Sequence, residues 1–496
     1  MKGPQPAHTV PTGAAGIPSA AAAIDLRLDG NQGRAPAAAF AQRLAEDTEW
    51  LRGYPLDRSL EQALAARHGV TPDRIFVGAG ADDVLDRLCR AVLQPGRTAI
   101  VPLPTFEMLP RYVALAGATA VTPAWPRGAF PRQEVLAAIT PDTALCAIVS
   151  PNNPTGLCAT RDDLAAVLAA APHALVLVDA AYAEFGGDDL TAAAVAHEHA
   201  VVVRTFSKAF GLAGLRIGYA IAAPHVVQWL RAVGSPFTAG TLARRAAQLR
   251  LLDERGDVAD YVRMVQAERD ALAAQLHQLG AAPLPSAGNF VFVPREDPTW
   301  LRDALAGVGI AVRAMPAGVR LTVPGDAVAF ARLQRAVQAA LAPAALLLDL
   351  DGVLADIEGR RVLCRVEDLA ALAARVPLAV VTSCPRKLAH AVLARHGLTP
   401  FLCTVVVAED GPGKPDPAPV RLALQRLGVT AAWMLGDNPG DVEAARAAGV
   451  VPFAIAPAGS GAEAHAARLR QAGAARLVGG LGALPPPLAL PAATTP

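Results

Sequence analysis

The sequence predicts two successive α/β units, each built on a mainly parallel sheet. Three observations predict this. From about residue 45, short apolar runs alternate with helix-length patches, the pattern of strand–helix repeats. Several runs are nearly continuous Val, Leu, Ile and Ala and end at a charge or a turn, as strands buried on both faces do. At Ala342-Pro343-Ala344 the pattern stops and then starts again.

Taken in order, residues 1–23 are rich in Pro, Gly and Ala and are expected to form an arm. Ile75–Val77, Thr98–Val101, Leu145–Val149, Leu175–Val178 and Val201–Val203 read as strands of a large unit spanning about 45–238. A long Arg/Ala/Gln/Leu helical stretch follows at about 240–280. Asn289–Val293 and Val319–Val323 read as strands of a smaller unit made of 239–343 and the arm. The second α/β unit occupies 344–480, with its pattern legible from Leu346 to about 456. Pro485-Pro486-Pro487 and Pro491 mark 481–496 as a tail.

Composition excludes several function classes. With 496 residues and 53% apolar content the chain has ample material for more than one core. A net charge of +1 without a basic block gives no footprint for nucleic acid or an anionic membrane. No apolar run approaches the ~18 residues a membrane span needs, and the N-terminus lacks the apolar core of a signal peptide. The six cysteines are scattered and form no Cys-x-x-Cys, which fits reduced thiols in a cytoplasmic protein. His197-Glu198-His199 lacks zinc-protease spacing and is expected in a loop.

The most informative stretch is Arg204-Thr205-Phe206-Ser207-Lys208-Ala209-Phe210-Gly211, continuing to Arg216. The chain has four lysines, at 2, 208, 387 and 414, and otherwise uses arginine. A lysine kept in a Gly/Ala-rich turn points to an amine that must lose its proton, which a guanidinium does not do. Such amines form Schiff bases with carbonyl compounds. Hydroxyls at Thr205 and Ser207 and the cation of Arg216 suit a neighbouring phosphate. The run resembles the Schiff-base segment of fold-type I pyridoxal-phosphate enzymes, most nearly that of histidinol-phosphate aminotransferases. The resemblance covers roughly 20–342.

The resemblance directs attention to the other strand ends, where open α/β sheets bind ligands. Asp179 closes the strand Leu175–Val178, where a carboxylate can pair with a protonated pyridine nitrogen. Tyr182 follows it, within reach of the cofactor's phenolic oxygen. Gly80-Ala81-Asp82 opens a helix after Ile75–Val77, a place for backbone amides to receive a phosphate. The third glycine of a dinucleotide fingerprint is missing, so that reading is rejected. By resemblance, Asn153 before Pro154-Thr155-Gly156 also bonds the phenolic oxygen, and Phe106 stacks on the pyridine ring. Tyr54 is expected to cross a homodimer interface to the neighbour's cofactor phosphate. Arg320 and Arg313 match arginines that clamp substrate carboxylate or phosphate, and Asn289 matches a substrate-strand asparagine. One departure is Asn31-Gln32-Gly33-Arg34, where relatives carry Asn-Glu-Asn-Pro.

In the second unit, Leu346-Leu347-Leu348-Asp349-Leu350-Asp351-Gly352 reads as a strand ending in two carboxylates two residues apart, hence on one face. Asp349 can attack phosphorus while Asp351 handles the leaving-group proton. This resembles the haloacid dehalogenase superfamily over about 345–457. The likeness implies phosphate contacts from Thr382 and Lys414, and a Mg²⁺ site from Asp349, Asp351, Asp437 and Asp441. Thirty residues separate Asp351 from Thr382 and thirty-one separate Thr382 from Lys414, too few for a full cap domain.

The resulting expectation is a dimeric cytoplasmic enzyme with two activities on small molecules. One is a pyridoxal-phosphate-dependent aminotransferase of the histidinol-phosphate type, with an amino donor and a phosphorylated keto acceptor. The other is a Mg²⁺-dependent phosphatase with no full cap acting on a phosphate ester. Threonine-phosphate decarboxylases share the first set of motifs and remain an alternative. A non-enzymatic regulator lacks the DNA-binding pattern it would need.

Overall fold

The computed structural model describes residues 24–46, 49–358, 361–456, 461–485 and 487. The expected arm at 1–23 and most of the expected tail lie outside the described residues. The large unit is a seven-stranded sheet in the order Ile75–Gly78, Gly218–Ala222, Ala200–Thr205, Leu175–Asp179, Thr143–Val149, Thr98–Ile100, Thr119–Val121. Gly218–Ala222 runs antiparallel to both neighbours and the other pairings are parallel. Along Thr143–Val149, Cys146 and Ile148 pack into one core cluster, and Leu145, Ala147 and Val149 into another. Alternate side chains therefore face opposite layers, and helices cover both faces. Each large apolar side chain removed from water this way contributes about 1.5–3 kcal/mol before entropy is counted. The strand ends at Val149, Asp179 and Thr205 deliver the motif loops to one edge.

The smaller unit holds a three-stranded antiparallel sheet, Arg313–Met315, Gly318–Thr322 and Phe290–Pro294. Its tight hairpin makes Arg313 and Arg320 direct cross-strand partners. Leu26–Arg27 pairs in parallel with Ile310–Ala311, which carries residues 29–35 across the mouth of the large unit. The helical stretch expected at 240–280 is two helices, Thr241–Leu252 and Ala259–Gln278. They are separated at Gly256, whose φ/ψ of −109°/−107° is not helical. The buried Arg250 holds this break, bonding Asp257 at 2.8 Å and the Phe210 carbonyl at 3.0 Å.

The second α/β unit is a six-stranded parallel sheet, ordered Thr404–Val406, Leu378–Val381, Leu346–Leu348, Trp433–Gly436, Val451–Ile455, Arg476–Val478. The sixth strand lies beyond the pattern legible in the sequence. Between Asp351 and Thr382 the described residues form a small hairpin, Ala355–Asp356 with Arg361–Val362, and one helix, Val366–Ala373. No cap is present among the described residues.

The two α/β units meet along a buried seam. Trp300 stacks on Phe453 at 5.7 Å and contacts Trp433 edge-on at 5.3 Å. The Trp433 indole donates to the Ala339 carbonyl at 2.7 Å, which satisfies its one polar atom. Arg476 bonds Asp297 at 2.9 Å and Asp303 at 3.3 Å at the rim. Among the described residues no helix is long and apolar enough to cross a membrane.

Candidate active sites

A cavity of about 680 Å³ lies at the strand ends of the large unit, closed on one side by the smaller sheet and by residues 29–35. Lys208 projects into it from the turn after Ala200–Thr205. Its Nζ donates to the Gly30 carbonyl at 3.3 Å and sits 5.6 Å from the Tyr182 ring centroid. Thr205 Oγ1 accepts from the Ser207 amide at 3.1 Å, which shapes the turn, and both hydroxyls line the cavity. Two glycines let the crossing segments touch. A Cβ on Gly33 would lie 1.8 Å from the Lys208 carbonyl, and one on Gly211 would lie 2.1 Å from the Arg34 carbonyl.

Ala81, Thr205, Ser207 and Arg216 form the cavity wall around the start of the helix Gly80–Val92. Gly80 has φ +83°, and a Cβ there would meet the Arg216 guanidinium at 2.7 Å. Amides at a helix start, two hydroxyls and a guanidinium are the donor set a phosphate requires. Asp82 is placed otherwise than a side-chain ligand would be. Its carboxylate pairs with Arg216 at 2.9 Å, so what it can offer an anion is its backbone amide.

Asp179 is buried at the foot of the cavity and accepts from the Ala181 amide at 3.1 Å. Burial pushes its pKa up from 3.8 to about 6. A carboxylate in this position favours a cationic neighbour, and the protonated nitrogen of a pyridine ring is one. Phe106, Asn153 and Tyr182 line the same space. The residues present therefore fit pyridoxal phosphate at its ring nitrogen, its phosphate and its carbonyl end.

Arg320 is buried, donating to Asn153 Oδ1 at 2.6 Å and to the Asp29 carbonyl at 2.7 Å. Arg313 lines the cavity and pairs with Glu107 at 3.0 Å. Asn289 does not reach the cavity. It is fully buried just before the strand Phe290–Pro294, and its amide donates to the Asn31 carbonyl at 3.3 Å. It supports the segment that faces the site instead of touching a ligand. Tyr54 is also outside its own chain's cavity, 77% exposed and stacked on Phe237 at 5.1 Å. Sequence reasoning missed Glu107, and it singled out Asn31 without foreseeing its burial or its bond to Tyr182. The signal for the latter was its place at the head of the altered motif Asn31-Gln32-Gly33-Arg34.

In the second unit, Asp349 follows the central strand Leu346–Leu348. Lys414 Nζ lies 2.8 Å from its Oδ1, contacts Asp441, and donates to the Val381 carbonyl at 2.9 Å. Thr382 is buried at the neighbouring strand end, where its Oγ1 accepts from the Cys384 amide at 3.1 Å. Asp349, Asp437 and Asp441 offer oxygens within 4.8 Å of one another. Burial raises the Asp349 pKa, the Asp441 carboxylate adds to this, and Lys414 opposes both. Burial, then the Asp441 and Asp351 carboxylates, push Asp437 up to about 6. Three carboxylates against one ammonium leave excess negative charge on hard oxygen donors, which fits Mg²⁺. Asp351 does not belong to this trio. The strand ends at Leu348, so the two-residue alternation does not carry through to Asp351. Its exposed side chain instead accepts from the Ile357 amide at 3.0 Å.

The first fold and cavity define a pyridoxal-phosphate-dependent enzyme of fold type I, joined to a hydrolase-like unit. The family model for class I and II aminotransferases matches residues 24–338, and the chain belongs to that family. A haloacid dehalogenase-like hydrolase model matches 365–449, starting after Asp349 and Asp351. A histidinol-phosphate aminotransferase of Staphylococcus saprophyticus is 35% identical over 278 residues, covering 55% of this chain and 77% of that protein. The solved Sinorhizobium meliloti histidinol-phosphate aminotransferase, in complex with pyridoxal 5′-phosphate, is 26% identical. Its TM-score is 0.58, over 64% of this chain and 91% of that one. Threonine-phosphate decarboxylase of Porphyromonas gingivalis, at 21% identity and TM-score 0.55 over 63% and 98% of the two chains, shows the shared fold alone.

Proposed function

We propose that the chain is a bifunctional homodimer that transaminates a phosphorylated substrate of the histidinol-phosphate type and hydrolyses a phosphate ester with Mg²⁺. One observation carries the substrate reading. Arg313 and Arg320 are cross-strand partners, so both guanidiniums stand on the same face of the sheet and both line the cavity. One fork suffices for a carboxylate; two suit a phosphate beside the reacting carbon. The 35% identity to a histidinol-phosphate aminotransferase supports the same substrate.

Pyridoxal phosphate, when bound, supplies the electron sink for bond breaking at the substrate Cα. Asp179 holds a proton at the pyridine nitrogen. Tyr182 and Asn153, which line the same cavity, would hold the ring oxygen, and the Gly80–Asp82 amides with Ser207, Thr205 and Arg216 would hold the phosphate. Lys208 moves the proton at the substrate Cα. Arg313 and Arg320 hold the substrate anion, and residues 29–35 exclude water. In the second unit, an Asp349 oxygen attacks the phosphorus and Asp351 delivers a proton to the departing alcohol oxygen. Water then releases phosphate from Asp349. Mg²⁺, when bound, would be held by Asp349, Asp437 and Asp441 and would offset the phosphate charge, with Lys414 and Thr382 beside it.

Together the steps would convert imidazole-acetol phosphate to histidinol phosphate and then to histidinol. The exposed Tyr54–Phe237 pair supports the dimer, since Tyr54 serves a cavity only in a second copy. Six unpaired cysteines support a cytoplasmic setting. The test is the full chain with 2-oxoglutarate and either histidinol phosphate or a phospho-amino acid, following glutamate, phosphate and CO₂. Glutamate and phosphate formation are expected. CO₂ release from a phospho-amino acid without glutamate would replace the transaminase reading with a decarboxylase.

A further inference from the structure

The segment that crosses the cavity carries Asn31 into a position for which the reading above has no use. Asn31 is 1% exposed and has φ +51°, in the left-handed region that asparagine tolerates better than most residues. Its side-chain oxygen accepts from Thr322 Oγ1 at 2.5 Å, and its side-chain nitrogen donates to the Tyr182 oxygen at 2.9 Å. Thr322 is itself buried on the strand Gly318–Thr322, and Asn289 holds the Asn31 carbonyl at 3.3 Å. Turned over, the Asn31 amide would instead donate to Thr322 Oγ1 and accept from the Tyr182 hydroxyl, which would aim that proton away from the cavity.

We infer that Asn31 is a positioning residue that sets the direction of the Tyr182 hydroxyl proton, and through it the protonation behaviour of the bound cofactor. The Tyr182 oxygen already accepts a hydrogen bond from Asn31, so its own proton must be donated elsewhere. The ring is buried and packed edge-on against Phe290 at 5.2 Å. The open side of the hydroxyl is the cavity, and the acceptor there is the cofactor's ring oxygen. A hydrogen bond donated to that oxygen stabilises the form in which it carries an uncompensated negative charge. The yellow, protonated form then gives way at lower pH than it otherwise would.

This inference rests on the cavity holding pyridoxal phosphate, and the experiment separates the two. The cofactor-loaded full chain is titrated with pH and its near-visible absorbance followed. Asn31→Asp offers the phenol a strong acceptor and should turn its proton away from the cavity. The colour transition should then rise by about one pH unit or more. Thr322→Val is close to isosteric and frees the amide to turn, so it should shift the transition in the same direction by less. If Asn31→Asp does not fold, Thr322→Val decides the matter. Tyr182→Phe should raise the transition as well, and adding Asn31→Asp to it should produce no further shift. A transition that stays in place in cofactor-loaded Thr322→Val and Asn31→Asp, while Tyr182→Phe moves it, overturns the inference. So does a shift that adds to that of Tyr182→Phe. Wild-type protein that binds no pyridoxal phosphate would instead overturn the reading of the cavity.

Discussion

Arg313 and Glu107 meet across the cavity, Nη2 to Oε1 at 3.0 Å, from a strand of the smaller unit and the start of a helix in the large one. Arg320 is anchored by Asn153 and the Asp29 carbonyl, whereas Glu107 is the pairing described for Arg313. An arriving phosphate competes with Glu107 for the guanidinium. Arg313→Ala should therefore lower kcat/KM for histidinol phosphate on the order of a hundredfold and affect glutamate much less. Glu107→Gln removes the competing charge and should lower the KM for the phosphorylated substrate. Equal losses with phosphorylated and plain substrates would make Arg313 structural.

Lys208→Ala should give a protein that loses its yellow colour on dialysis and is no longer fixed to the cofactor by borohydride. Transamination should disappear while phosphate release persists, because the Asp349 cluster lies on a different sheet. Mass spectrometry of the borohydride-treated wild type checks the assignment directly, by locating the modified residue.

Asp179 predicts how cofactor binding depends on pH. Its folded pKa of about 6 lies above the usual 3.8, so the cofactor-free fold is favoured at low pH and loses this advantage as pH rises through about 6. That difference corresponds to roughly 3 kcal/mol at most. A protonated pyridine nitrogen restores the balance. The rise in Tm on adding pyridoxal phosphate should be larger at pH 7.5 than at pH 5, and Asp179→Asn should flatten the difference. Melting curves with and without cofactor at both pH values test this.

Asp349→Asn in the full chain should abolish phosphate release and leave transamination intact. Chelation with EDTA should do the same, and Mg²⁺ should restore the wild type only. Asp351→Asn, outside the metal trio, should lower the rate without weakening Mg²⁺ binding. Isothermal titration with Mg²⁺ distinguishes the two variants.

What was legible in the sequence had a repeating physical cause. Asp179 and Lys208 could be placed because each follows a run of apolar residues long enough for one buried strand. Residues that depend on where a strand stops were harder. Asp351 was expected beside Asp349, but the strand had already ended at Leu348. Asn289 precedes its strand by one residue and faces the crossing segment instead of the cavity. Glu107 is a single carboxylate at a helix start, with no periodicity to single it out. The sixth strand, Arg476–Val478, is short and begins with a charge that reaches back to Asp297 and Asp303, contacts set by the tertiary fold.

The seam of Trp300, Trp433 and Phe453 has a consequence for the integrity of the molecule. Trp433 and Phe453 belong to the second sheet, are at most 1% exposed, and rest on a helix of the first. A peptide made from residue 344 onward would present both aromatics and the unmet Trp433 indole to water, so it should aggregate or associate. A chain nicked by protease near Ala342 should behave differently. It should run as two bands in denaturing gels, yet travel as one particle on a sizing column and retain both activities. The peptide bond at the junction then serves synthesis and assembly, and the aromatic seam holds the finished halves together.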